Sequence, residues 1–166
     1  LVTSQQAHIF KTIVDKKDNT IYAGMKFVDY SGGYSGSENA ILEKYSKTGG
    51  KAIWRLAHSP YYAANYFYSM YITGVTVDEN NDIYITGGYY SSQLQFAGIT
   101  MLHPESSNPY GHTYVAKISE AGKLLWFISS YIPNFSDRGA ETGGSDIKYS
   151  NGKLYVAARL LSQKDW

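Results

Sequence analysis

The sequence predicts an all-β protein built from a repeated antiparallel unit, and three observations lead there. One pattern, a strand, a tight polar turn and a second strand, occurs three times. The copies are Thr12-Ile-Val-Asp-Lys-Lys-Asp-Asn-Thr-Ile-Tyr-Ala-Gly24, Val75-Thr-Val-Asp-Glu-Asn-Asn-Asp-Ile-Tyr-Ile-Thr-Gly-Gly88 and Asp146-Ile-Lys-Tyr-Ser-Asn-Gly-Lys-Leu-Tyr-Val-Ala-Ala158. Internal self-similarity of this kind marks a repeat architecture. Aromatic residues make up 16% of the chain, with 17 tyrosines, and a ring with a polar tip suits a half-buried pleated strand. No stretch carries a sustained 3.6-residue apolar period, so little or no helix is expected.

Residues 1 to 7 are polar and read as extended. Ala7 to Val14 suits a strand, Asp15-Lys-Lys-Asp-Asn19 consists of turn formers, and Thr20 to Gly24 is the returning strand. The Gly/Ser-rich stretch from Tyr30 to Ser37 reads as a loop. Asn39 to Tyr45, the turn Ser46-Lys-Thr-Gly-Gly50 and Lys51 to Ala57 complete a four-stranded meander. The second unit repeats the order with Met70 to Val77, Ile83 to Gly87, Thr113 to Ser119, the turn Glu120-Ala-Gly122 and Lys123 to Ser129. Trp54 and Trp126 hold the same place in the two last hairpins, with one residue inserted in the first turn. The long insertion from Tyr89 to His112, carrying Pro104 and Pro109, makes the spacing unequal. A third unit supplies Lys153 to Ala158 as its second strand and then trails to Trp166.

Composition excludes more than it selects. The 166 residues suit one domain or part of one. A net charge of +1 gives no field that would draw the chain to nucleic acid or an anionic membrane. No apolar run approaches the roughly 20 residues that cross a bilayer as a helix. There are no cysteines, so neither disulfides nor thiolate metal sites can form, which is compatible with an exported bacterial protein. The chain opens at Leu1 without a charged-then-apolar leader, so any signal peptide is expected to have been removed or to lie outside this segment.

Four-stranded twisted sheets repeated at this spacing are the blades of a β-propeller, which bury their faces on one another. The expected organisation is one propeller domain with blade 1 at about 7–58, blade 2 at about 69–130 and an incomplete blade 3 at about 144–166, some 2.5 blades in all. Propellers usually close with about 4 to 8 blades, so the expectation is a fragment of a longer protein, with closure by oligomerisation as the alternative.

Several pieces resemble the bacterial β-propeller repeat called the SBBP, or seven-bladed, repeat. They are Val77-Asp78, Asp82-Ile-Tyr-Ile-Thr-Gly87, Phe96-Ala-Gly98, and Tyr114-Val-Ala-Lys117 through Gly122 to Trp126. The resemblance covers nearly the whole chain, although unit 1 lacks the middle Phe-Ala-Gly piece and unit 3 has Ala157 where glycine is expected. It implies a secreted, extracellular or cell-surface setting (the periplasm being a variant) and says little about activity.

Candidate sites each have a structural reading beside the functional one. Asp78, Asn80 and Asp82 alternate as a calcium loop would begin, yet the following glycine and the distal glutamate are missing. Unit 1 has Asp15, Lys17 and Asn19 there, which favours an Asx-capped turn. Thr48-Gly-Gly-Lys-Ala-Ile-Trp54 is similar to the tryptophan motif of quinoprotein propellers, where the indoles mainly lock blades together, and packing is the expected role of Trp54 and Trp126. His8, His58, His103 and His112 are dispersed and expected at the surface. Tyr61-Tyr62, Tyr66-Phe67-Tyr68, Tyr71 and Tyr89-Tyr90 are either blade-to-blade core or rings that stack on a sugar or protein. Asn134-Phe-Ser136 is a glycosylation triplet without a matching context. No hydrolase, zincin, P-loop or dinucleotide fingerprint occurs.

The expectation is therefore a non-enzymatic propeller scaffold or binding module, with a protein or surface glycan as partner or with the rest of its own propeller. No catalytic, cofactor or metal residues are assigned, and neither nucleic-acid binding nor membrane insertion is expected. Two alternatives stay open: a propeller enzyme, quinoprotein or hydrolase, whose active site lies elsewhere, and a lectin closed by oligomerisation.

Overall fold

A computed structural model describes residues 5–30, 34–57, 69–90, 93–102, 112–130 and 142–160. The chain is all-β, made of antiparallel sheets, with no helix among the described residues. Unit 1 is a four-stranded sheet in the order β1 (Gln5–Val14), β2 (Thr20–Tyr30), β3 (Tyr34–Tyr45), β4 (Ala52–Ala57). Unit 2 has β5 (Ser69–Val77) and β6 (Ile83–Tyr90), then an inserted hairpin of β7 (Gln93–Phe96) and β8 (Ile99–Leu102), then β9 (His112–Ile118) and β10 (Leu124–Ser129). Its sheet runs β5-β6-β9-β10, the same meander as unit 1. In unit 3, β11 (Thr142–Ser150) pairs with β12 (Lys153–Leu160).

One expectation about loops needs correction. Tyr30 and residues 34–37 of the Gly/Ser-rich stretch are strand, β2 and β3 staying paired as far as Tyr30 opposite Tyr34, while residues 31–33 lie outside the described residues. Serine and glycine do not prevent pairing when the partner strand supplies the ladder. The insertion between Tyr89 and His112 contains a hairpin turning on Ala97 (φ 53°) and Gly98 (φ 77°), the twin positive-φ geometry of a tight two-residue hairpin. Phe96 is fully buried, so the hairpin is tied to the core.

Turns and bulges define which positions correspond. In units 1 and 2 the first turn closes identically: Asp15 N–H donates to Asn19 O at 2.9 Å and Asp78 N–H to Asp82 O at 3.0 Å. Asp18 (φ 63°) and Asn81 (φ 64°) occupy the same left-handed place, which short Asx side chains tolerate. Unit 3 uses a shorter turn on Asn151 and Gly152. Each first strand carries a bulge, at Ile9/Lys11, Ile72/Gly74 and Gly144/Asp146, opposite Gly24, Gly87 and Ala158. Counting from these marks, Ile21, Tyr84 and Tyr155 are equivalent. Tyr22, opposite Thr12, matches Ile85, opposite Val75. The tyrosines at 22, 84 and 155 therefore do not share one place, and the alanine replacing the expected glycine is Ala158 rather than Ala157.

The core lies between units 1 and 2. Ile21, Ala23, Ala40 and Leu42 from unit 1 meet Met70, Ile72, Val75, Ile83, Ile85, Ala116 and Ile118 from unit 2, all at or near full burial. The first strand of each unit lies over the first three of the unit before: β5 against β1, β2 and β3, and β11 against β5, β6 and β9. One packing step is thus repeated. No helix of the described chain is long and apolar enough to cross a membrane.

Candidate functional site

The turns expected to bind calcium or cap themselves do the latter. Asp15 Oδ1 accepts the Lys17 and Asn19 amides at 2.8 and 2.9 Å. Asp78 Oδ1 accepts those of Asn80 and Asp82 at 2.9 and 3.0 Å. Each carboxylate also faces a lysine from the third strand, Lys44 Nζ at 2.8 Å from Asp15 and Lys117 Nζ at 3.3 Å from Asp78 and 3.0 Å from Asp82. An ammonium thus stands where a cation ligand set would converge. Burial works to raise the Asp15 carboxyl, but the Lys44 and Asn19 hydrogen bonds and two backbone amides overcome it and hold the pKa down at about 2. Asp78 is lowered in the same way, burial being outweighed by the Asn80 amide, Lys117 and Asp82. The hydrogen bond with Tyr84 chiefly raises Lys117. These are fold-holding pairs.

The tryptophans lock units and hairpins together, as their spacing suggests. Trp54 Nε1–H donates to Glu120 O at 3.0 Å in unit 2, and a Cβ on Gly122 would fall 2.9 Å from the Trp54 indole. Trp126 meets Tyr84 edge-on at 5.9 Å, and Tyr84 stacks on Tyr149 of unit 3 at 5.8 Å.

The tyrosine cluster divides. Tyr89 is buried among His112, Tyr114 and Phe127, with ring centroids 5.1 to 6.2 Å away. Tyr71 lies against Gly88 and Gly143, and its carbonyl accepts the Tyr114 hydroxyl at 3.1 Å. Both therefore belong to the packing between and within units. Tyr61, Tyr62, Tyr66, Phe67 and Tyr68 lie outside the described residues, as do His58, His103 and Asn134 to Ser136. His112 is buried at 7% exposure, contrary to the surface expectation, because it begins β9 beneath the Tyr89 ring. His8 is exposed.

A different group forms an open groove of about 480 Å³ on the face of unit 1 turned away from unit 2, lined by Ile9, Thr20, Tyr22, Glu43, Tyr45 and the Ser46–Gly49 turn. Strand register builds it. Tyr22 pairs with Glu43 across β2 and β3, Thr20 with Tyr45, and Glu43 with Arg55 across β3 and β4, so all share one face. The Tyr22 and Tyr45 rings meet edge to face at 5.5 Å and 80°. The Tyr45 hydroxyl donates to Glu43 Oε2 at 2.8 Å, and Arg55 closes an ion pair on Glu43 Oε1. The hydrogen bond to Glu43 raises the Tyr45 phenol, and the Glu43 charge raises Arg55, so phenol and guanidinium both keep their protons near neutrality. Two ring walls beside an acceptor, donors and a balanced charge can hold a neutral polar ligand. Sequence reasoning missed these residues. The signal available was a comparison of the units position by position.

Neither protein-family models nor characterised proteins match this chain.

Proposed function

We propose that this chain is a stretch of β-propeller acting as a non-enzymatic scaffold and binding module of an exported or cell-surface bacterial protein. The observation that carries the reading is the repeated packing step, in which the first strand of each unit covers the first three of its predecessor. Sheets applied in this way along their inner strands diverge outwards as wedges, the geometry of blades around an axis. The exposed side chain of Tyr155, 57% accessible on the face of unit 3 turned away from unit 2, supports it, because a blade interior to an array has a neighbour there. Asp15 and Asp78, whose carboxyls are held below the ordinary value, cap turns and pair with lysines, which suits a scaffold better than acid–base chemistry. The likeness of Asp82 to Gly87 and Tyr114 to Trp126 to the bacterial repeat supports the surface location.

The test is immunolabelling of intact source cells with an antibody raised against the folded chain. Labelling before lysis is the expected result. A signal that appears only after lysis overturns the location and the role built on it.

A further inference from the structure

The faces of the three units differ at equivalent positions. The face that unit 2 turns towards unit 1 carries Val75, Ile83, Ile85, Ala116, Ile118 and Phe127, and the first five are in the buried core cluster or fully covered. The matching positions of unit 1, read from the strand pairings, are Thr12, Thr20, Tyr22, Glu43, Tyr45 and Arg55. Unit 3 keeps the apolar pattern there, with Ile147 opposite Val156, and Ile147 is 4% exposed. A carboxylate, a guanidinium, two threonines and two phenols have thus replaced a surface that elsewhere serves sheet-on-sheet packing. Burying that set against another apolar sheet would strip water from the Glu43–Arg55 ion pair, which apolar packing does not repay.

We infer that this outer face of unit 1 is a ligand-binding surface and that its ligand is a neutral oligosaccharide. The inference names the partner class of the binding module proposed above and rests on that reading. The Tyr22 and Tyr45 rings stand nearly perpendicular, presenting one ring face and one edge, which matches the apolar faces of a pyranose. Glu43 Oε1 and Oε2, Ser46 Oγ and Thr20 offer sugar hydroxyls a mixture of acceptors and donors along the same groove. Charge is balanced in place, Glu43 by Arg55 and Lys47 by Asp18 at 3.6 Å, so the site has no excess sign to attract an ionic ligand. A volume of about 480 Å³ lies within the usual range for small-ligand sites, and the groove is open to solvent.

Saturation-transfer NMR and calorimetry on the full chain test this with cellohexaose, maltohexaose and mannohexaose, and with a polygalacturonate hexamer as the charged probe. At least one neutral probe should bind with transfer from tyrosine ring protons, and the charged probe should bind more weakly. Tyr22→Ala should weaken binding at least about tenfold, Glu43→Gln by a few-fold, and Tyr155→Ala on the opposite end face should change nothing. Tyr22→Leu keeps the volume if the alanine variant folds poorly. The inference is overturned if no neutral probe binds, if binding survives both Tyr22 variants, or if the chain self-associates with Tyr22 shielded from solvent. A failure here leaves the intact-cell labelling result unaffected, whereas absence of labelling with saccharide binding intact removes the location and not the site.

Discussion

Lys11 Nζ lies 3.2 Å from Asp146 Oδ1, although the residues are 135 positions apart and belong to units 1 and 3. They hold the same place in their strands, just after the bulge, and the matching residue of unit 2 is Gly74. A Cβ on Gly74 would fall 2.9 Å from the Asp146 Cα and the Ile147 nitrogen, so only a bare backbone lets β11 come this close. Glycine in the middle unit allows the outer two to meet.

That contact is a direct test of how the units stack. A zero-length carbodiimide reaction followed by peptide mass spectrometry should recover a Lys11–Asp146 amide, with Lys17–Glu120 as an internal reference between units 1 and 2. Recovery of the reference alone would contradict the position of unit 3. Both side chains of the first pair are about half exposed, so Lys11→Ala should change stability by no more than about 1 kcal/mol.

The Asp15–Lys44 pair should behave oppositely. Its side chains are 0% and 3% exposed, so Lys44→Ala strands a buried carboxylate and should cost about 3 to 5 kcal/mol in urea unfolding. Replacing both partners, as Asp15→Asn with Lys44→Met, should cost clearly less than the single change. Methionine keeps most of the Lys44 stem, so an equal or larger loss would place the effect in the turn hydrogen bonds of the Asp15 carboxylate and not in the charge pair.

Acid stability follows from the same groups. The folded pKa of Asp15 is about 2 against an ordinary 3.8, and Asp78 is lowered as well. A depressed carboxyl contributes stability that is fully present above the ordinary value and disappears as pH falls through the folded one. Stability followed by tryptophan fluorescence should therefore decline between about pH 4 and pH 2. Asp15→Asn should flatten that slope, and an unchanged slope would place the acid sensitivity elsewhere.

Strand order and turn chemistry were legible in the sequence because alternation, Asx turns and the repeated Trp act locally. The tyrosine alignment failed by one residue because Tyr22 and Tyr84 look alike in a string but lie on opposite faces, a distinction carried by register. Tyr30 and residues 34–37 were misread as loop because glycine and serine report local preference, whereas pairing with β2 is a long-range effect. The Tyr22–Tyr45–Glu43–Arg55 groove was hidden for a similar reason. Its members are scattered over three strands, and only the strand pairings put them on one face.

The bulge glycines supply the last prediction. A Cβ at Gly87 would stand 1.9 Å from the Tyr71 carbonyl oxygen, and one at the equivalent Gly24 would stand 2.0 Å from the His8 carbonyl. Both obstacles are backbone, held by strand pairing, so they cannot swing aside as a side-chain tip would. Gly87→Ala must push β5 from β6 in the middle of the core, where Ile72 and Ile85 are fully buried. A loss of about 2 to 3 kcal/mol is expected, near the upper end for overpacking. Gly24→Ala should cost less, because among the described residues β1 has neighbours on one face only and can shift towards solvent. Unit 3 carries Ala158 at this place, so Ala158→Gly should change stability by less than about 1 kcal/mol. Urea unfolding of the three variants checks the order Gly87, Gly24, Ala158. A Gly87 variant as stable as the parent would mean that the bulges do not correspond, and with them the equivalence of the units.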